Sequence, residues 1–404
     1  MLVSLDGFRW DYLDRGLTPA LSRLAADGVR ARALVPVFPT TTFPNHYTLV
    51  TGLTAGRHGI VGNRFSAPDV GRGFSMYDRT TVRDARFWQG EPIWVTAERQ
   101  GFRTAIYFWP GSEAPIGGVR PTWWMPYDHD TPDTARVHQV LDWLALPPSH
   151  RPSLVTLYLS VVDQAGHDFG PDSPETDSAI VRADRVVGML VDALALRAGT
   201  VNLLVVSDHG MAATSPQRVV WLDDYVKRNW LEIDALSPVL MARPVPGKED
   251  SLVAGLRRAA RLTVYRRGEL PARYHLGSTP RVAPVVALAD EGWSIAWRPG
   301  PGRPPAQGSR GDHGFDNALA SMAAVFVARG PAFRRGAEAP AFGNVHVYAL
   351  LAELLGVRPA ATEGSLDSVR AMLAASDSSA PRRPRGSPRA PAAPARSFGG
   401  RAPR

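Results

Sequence analysis

Five short apolar runs, at residues 2–5, 104–108, 154–159, 201–206 and 323–328, recur along the chain with helical patterns between them. This alternation narrows the possible folds more than any other feature. The runs are nearly continuous in Val, Ile, Leu and Ala, as strands buried on both faces require. Helical periodicity appears at 18–26, 91–99, 135–146 and 175–197, and again at 345–355 after the last run. Strands alternating with helices predict an α/β fold in which helices flank a central, mainly parallel sheet. From about Thr214 to Pro301 the rhythm breaks. An amphipathic segment at 252–261 and strand-like pieces at 262–265, 285–288 and 294–297 predict an inserted smaller subregion or cap.

The net charge of +8 is unevenly placed. Residues 376–404 hold seven arginines against one aspartate, so this Pro/Ala/Arg-rich tail carries +6 and the other 375 residues only +2. Such a body gives no reason to expect a specific nucleic-acid partner, and the tail reads as disordered. The organisation expected is one large domain over 1–375, with about 214–301 inserted, followed by the tail at 376–404. No apolar run approaches the roughly 18 residues of a transmembrane segment. The chain has no cysteine, which leaves His and carboxylates as its strong metal ligands. The first apolar run abuts Met1 with no charged or apolar leader ahead of it, so either the protein is cytoplasmic or its natural start lies upstream.

In open parallel sheets, functional residues gather just past the carboxyl ends of the strands. Asp6 ends the first run, Asp163 and His167 follow the third, and Asp208 and His209 follow the fourth. His313, in Gly311-Asp312-His313-Gly314, lies shortly before another strand. Singly these are ordinary: a strand-end Asp often caps a helix, and an Asp and His four apart are often a surface pair. Together, three Asp and three His in Gly-flanked turns can converge on cations. In Thr40-Thr41-Thr42-Phe43-Pro44, Pro44 sits where a helix would begin, which puts Thr42 at or near the N-cap. A hydroxyl there either caps the helix or faces a bound anion, and spacing alone does not choose among the three threonines.

The chain resembles the nucleotide pyrophosphatase/phosphodiesterase family of the alkaline phosphatase superfamily. The resemblance is carried, in order, by Leu5-Asp6-Gly7-Phe8-Arg9, Thr42-Phe43-Pro44-Asn45-His46-Tyr47, His58-Gly59-Ile60-Val61-Gly62-Asn63, the stretch from Asp163 through His167 to Pro171, Ser207-Asp208-His209-Gly210-Met211 and Gly311-Asp312-His313-Gly314. It implies an alkaline-phosphatase-like fold and a catalytic phosphodiesterase domain over 1–375. It also implies two zinc ions per chain, one on Asp163, His167 and His313, the other on Asp6, Asp208, His209 and the Thr42 oxygen. Thr42 would be the nucleophile and would form a covalent phospho-threonine. Asn63 would donate to a phosphate oxygen, and Phe43 and Tyr127 would sandwich a nucleobase.

The expected reaction is hydrolysis of phosphodiester or pyrophosphate bonds of nucleotides, releasing nucleoside 5′-monophosphates. The other readings are a phosphodiesterase for a choline or glycerol ester or a phosphonate with the same metal site, and a metal-binding protein without catalysis. No arginine of the matched motifs apart from Arg9 is placed to clamp the extra charge of a monoester, so a preference for diesters is expected. Members of this family are mostly exported or membrane-anchored. A periplasmic or secreted native form with an upstream signal is therefore expected, with a cytoplasmic protein as the alternative.

Overall fold

Leu2 and Val3 are neighbours in sequence, yet they belong to apolar clusters on opposite faces of one sheet, and both are fully buried. The computed structural model describes residues 1–195, 201–277, 279–300 and 309–375. Among these, an eight-stranded sheet runs in the order Ala337–Ala339, Val29–Ala31, Phe326–Arg329, Leu203–Val206, Leu2–Leu5, Leu154–Leu159, Thr104–Tyr107, Trp123–Met125. Five of its seven pairings are parallel. The two made by Phe326–Arg329 are antiparallel. The fold is therefore α/β around a mainly parallel sheet, as the alternation predicts.

Helices cover both faces. Thr42–Thr51, Ile93–Arg99 and Val347–Leu355 share one core with Leu2, Ile106, Leu204 and Phe326. Pro19–Ala26, Asp133–Ala145 and Pro174–Ala195 share the other with Val3, Leu157, Val205 and Val327. Each fully buried Val, Leu, Ile or Phe contributes about 1.5–3 kcal/mol, which is why runs without polar alternation are stable only in this sandwich.

The strand expected at 323–328 begins only at Phe326. Ala323 and Ala324 direct their backbone elsewhere: Ala323 accepts from the Trp10 N–H, and Ala324 exchanges hydrogen bonds with Leu34. Residues 214–301 contain a separate four-stranded antiparallel sheet in the order Leu231–Ala235, Val239–Pro244, Val285–Ala289, Leu262–Arg266. Helix Glu249–Leu256 packs on it through Leu252 and Leu256. Two of these strands were not anticipated, because Glu232, Asp234 and Pro244 break up their apolar pattern. Ser294–Ala296 pairs with Val219–Trp221 instead of joining that sheet. The tail expected at 376–404 and the end of the helix expected to reach 197 lie outside the described residues. No described helix is long and apolar enough to cross a membrane.

The sheet's polarity positions the site. Parallel strands present their carboxyl ends at one edge. Because Phe326–Arg329 runs the other way, the segment leading into it arrives at that same edge, and this segment carries His313.

Candidate active site

Asp6 directly follows Leu2–Leu5, and Asp208 and His209 closely follow Leu203–Val206. Asp163 and His167 lie four apart on helix Val161–Phe169, one turn from each other on the same helix face. Gly7 lets these elements close up: its φ is +68°, and a Cβ there would stand 2.8 Å from Asp163 Cα.

All six expected protein ligands meet at this edge. Asp163 Oδ1 lies 3.5 Å from His167 Nε2 and 3.6 Å from His313 Nε2. His209 Nε2 lies 3.0 Å from Asp208 Oδ2 and 3.4 Å from Asp6 Oδ1. The His209 and His313 rings stack at 3.6 Å between centroids. The ring nitrogens turned away from the cluster meet backbone carbonyls: His167 Nδ1 meets Gly311 O, His209 Nδ1 meets Gly210 O and His313 Nδ1 meets Thr40 O, each at 2.9 Å. A carbonyl only accepts, so each Nδ1 carries a proton, and each Nε2 is the ring nitrogen turned towards the cluster.

The carboxylates complement them. Asp6 Oδ1, Asp163 Oδ1 and Asp208 Oδ2 are buried with no hydrogen-bond partner. Burial first, and then the charges of Asp208 and Asp163, pushes the Asp6 carboxyl well above its ordinary range. Burial, with His209 and His167 alongside, holds the His313 imidazole well below its own. Buried anionic oxygens without partners are costly unless a cation meets them. Three unpartnered carboxylate oxygens beside three imidazole Nε2 atoms are a donor set that fits zinc.

The three threonines separate by their partners. Thr40 Oγ1 donates to Phe315 O and accepts from the Gly314 N–H. Thr41 is the N-cap residue, yet its hydroxyl makes no cap bond. Thr42 is the first residue of helix Thr42–Thr51, not its cap, and its Oγ1 lies 3.4 Å from His209 Nε2. Pro44 sits within the first turn instead of starting it. The N–H that proline lacks would have been unpaired there in any case.

A cleft of about 460 Å³ opens over the cluster, a volume suited to a small organic ligand. Thr42, Phe43, Asn63, Tyr127, Asp6, Asp163, His167 and His313 line it, while Asp208 and His209 are wholly buried behind it. Asn63 Oδ1 accepts from the Phe43 N–H at 2.9 Å, which fixes the amide oxygen inward and leaves the NH2 group for a ligand. Phe43 packs near Phe74 and Trp88, and Tyr127 packs against Phe108 at 5.1 Å between ring centroids.

Several residues escaped the sequence reading. Arg79 lines the cleft but is tied to Glu113, which also takes Arg83 Nε at 3.0 Å and the Tyr127 N–H at 3.0 Å. Arg9, by contrast, was singled out in the sequence, but it pairs with Asp11 and Asp172 and does not line the cleft. Asp312 brings a ligand atom within 4.8 Å of those of His167 and His313, a proximity the resemblance did not assign. Tyr158 reads as one more core residue of an apolar strand. A single hydroxyl near that strand's carboxyl end was the available signal.

The sequence pattern of the family described as type I phosphodiesterase / nucleotide pyrophosphatase matches residues 1–316. A Schizosaccharomyces pombe protein named an uncharacterized pyrophosphatase/phosphodiesterase is 37% identical over 381 residues, covering 91% of this chain and 79% of its own. Human ectonucleotide pyrophosphatase/phosphodiesterase family member 5 is 38% identical over 378 residues, covering 92% and 77%. The structure of murine ectonucleotide pyrophosphatase/phosphodiesterase 5, an inactive threonine-to-alanine variant in complex with AMP, superposes with a TM-score of 0.88 at 38% identity, over 92% of this chain and 99% of that one.

Proposed function

The chain belongs to the type I phosphodiesterase / nucleotide pyrophosphatase family and is a hydrolase, and on that premise we propose that it cleaves phosphodiester or pyrophosphate bonds of nucleotides, with Thr42 as nucleophile and nucleoside 5′-monophosphates as products. One observation carries this reading: the Thr42 hydroxyl lines the cleft and lies 3.4 Å from His209 Nε2, within a cluster in which Asp6, Asp163 and Asp208 each leave a buried carboxylate oxygen without a partner.

Asp163, His167 and His313 would hold one zinc, and Asp6, Asp208 and His209 with the Thr42 hydroxyl the other. Two such ions supply Lewis-acid polarisation of a phosphoryl oxygen and ease loss of a proton from a neighbouring hydroxyl. The Thr42 oxygen forms a bond to phosphorus as the bond to the first leaving group breaks. Water then cleaves the phospho-threonine. The Asn63 NH2, oriented by the Phe43 N–H, donates to a non-bridging phosphate oxygen. Phe43 and Tyr127 line the same cleft and offer flat faces for a base.

The murine relative's complex with AMP supports a nucleotide in this cleft. A choline ester calls for an unpaired anion among aromatic rings, whereas Glu113 is neutralised by Arg79 and Arg83. The human relative's name, ectonucleotide pyrophosphatase/phosphodiesterase, supports action outside the cytoplasm for this protein too. A hydrolysis panel on zinc-replete protein tests the assignment, using nucleotide diesters, nucleoside triphosphates, choline phosphodiesters and monoesters. Nucleotide diesters and triphosphates should turn over fastest, and faster turnover of choline phosphodiesters would overturn the nucleotide reading.

A further inference from the structure

His46 is fully buried on the inner side of helix Thr42–Thr51, and nothing above gives it a role. Both ring nitrogens are engaged. Nδ1 lies 2.9 Å from the backbone oxygen of Thr42, and Nε2 lies 2.8 Å from Ser4 Oγ. The Thr42 carbonyl only accepts, so Nδ1 carries the proton and Nε2 takes one from the Ser4 hydroxyl. Asp208 Oδ2 is also near Nδ1, at 3.2 Å, but the Thr42 carbonyl is closer and makes the hydrogen bond in good geometry. Trp109 and Tyr158 pack edge-on against the ring at 5.1 and 5.2 Å, and the Trp109 indole N–H holds the His46 carbonyl.

The imidazole thus ties the peptide of Thr42 to the strand that delivers Asp6. Burying a polar ring is tolerated only when its nitrogens are satisfied, and a core helix position is more cheaply filled by an apolar side chain. Here each nitrogen is satisfied by a group whose placement matters for the cluster: the residue carrying the Thr42 hydroxyl, and the strand two residues before Asp6. Packing alone does not call for that pairing.

We propose that His46 is a positioning residue, whose Nδ1–H fixes the Thr42 peptide, and with it the Thr42 hydroxyl, relative to Asp6 and Asp208, while Ser4 holds the other ring nitrogen. The inference rests on the reading of Thr42 as nucleophile.

Three substitutions in the full chain separate positioning from packing. The amide nitrogen of Asn falls near imidazole Nδ1 and that of Gln near Nε2, while Leu keeps volume alone. Zinc content, melting temperature, kcat and KM would be measured for His46→Asn, His46→Gln and His46→Leu on a nitrophenyl phosphodiester. His46→Gln and His46→Leu should lose kcat by about 100-fold, the scale of a misplaced reacting group. KM should change far less, and His46→Asn should recover about tenfold or more of that loss. Equal losses in all three, or a better result for Gln than for Asn, would overturn the proposal. Should the variants fold poorly, nitrogen NMR of histidine-labelled wild-type protein reads the tautomer directly. A proton on Nδ1 of His46 supports the proposal and a proton on Nε2 with Nδ1 bare overturns it. The Thr42 reading fails separately, by persistence of turnover in Thr42→Ala.

Discussion

Tyr158 donates its phenolic hydroxyl to Asp6 Oδ2 at 2.6 Å, and so turns Asp6 Oδ1, which has no partner, towards His209 at 3.4 Å. The strand Leu154–Leu159 pairs with Leu2–Leu5 in parallel, which places this tyrosine directly beside the carboxylate. A partner that orients a metal-binding side chain typically changes metal affinity 10- to 100-fold when removed. Tyr158→Phe should therefore release one zinc per chain to a chelator at about tenfold lower chelator concentration or less. Competition with a fluorescent zinc indicator reads this. Unchanged affinity for both ions would show that Asp6 needs no such support.

Gly7→Ala should destabilise the protein by about 1–3 kcal/mol, the range for a non-glycine residue held at positive φ, with a further loss from the close approach to Asp163. Gly16 is the control: its φ is +74°, but a Cβ there meets nothing within 4 Å. Denaturant midpoints should fall more for Gly7→Ala than for Gly16→Ala. Equal shifts would mean that the Asp163 contact has no energetic weight.

His58, in the segment leading to Asn63, is buried with its Nε2 on Pro44 O at 3.1 Å and its Nδ1 accepting from the Ile60 N–H at 3.2 Å. Burial lowers its pKa to about 3. The unfolded chain takes up this proton below its ordinary pKa of about 6.5 while the folded chain does not, so the contribution to stability is complete above that value. It is lost as pH falls from there towards the folded pKa, by about 1.4 kcal/mol per pH unit. Unfolding curves for wild type and His58→Gln between about pH 6 and pH 4 should show a shallower pH dependence in the variant. Parallel curves would mean that His58 titrates alike in both states.

Phe43→Ala should weaken turnover of nucleotide substrates more than that of a small nitrophenyl phosphonate ester, because stacking on a base is worth about 1–3 kcal/mol. The ratio of the two kcat/KM values is the quantity to compare with wild type. Equal losses on both substrates would remove the base-stacking role while leaving phosphodiester hydrolysis intact.

The sheet and the convergence of three aspartates and three histidines at its edge could be read from the sequence because strand ends and Gly-flanked polar turns are local features. What decides among Thr40, Thr41 and Thr42 is not local, since Thr40 is claimed by Phe315 and Gly314, far away in the chain. Tyr158 and Arg79 were missed for the same reason. One has the composition of a core strand, and the other lies outside every recognisable motif and acquires its place through Glu113. The short beginning of the strand at Phe326 reflects tertiary competition too, because Leu34 takes the backbone of Ala324.

The central claim is that the oxygen of Thr42 attacks phosphorus. The most direct measurement is turnover of a nucleotide diester by zinc-replete Thr42→Ala and Thr42→Ser, with zinc content measured on the same samples. Loss of the hydroxyl should abolish covalent turnover while the six protein ligands still bind metal, and serine, which keeps the oxygen, should retain measurable activity. Near-normal turnover by zinc-replete Thr42→Ala would contradict the account.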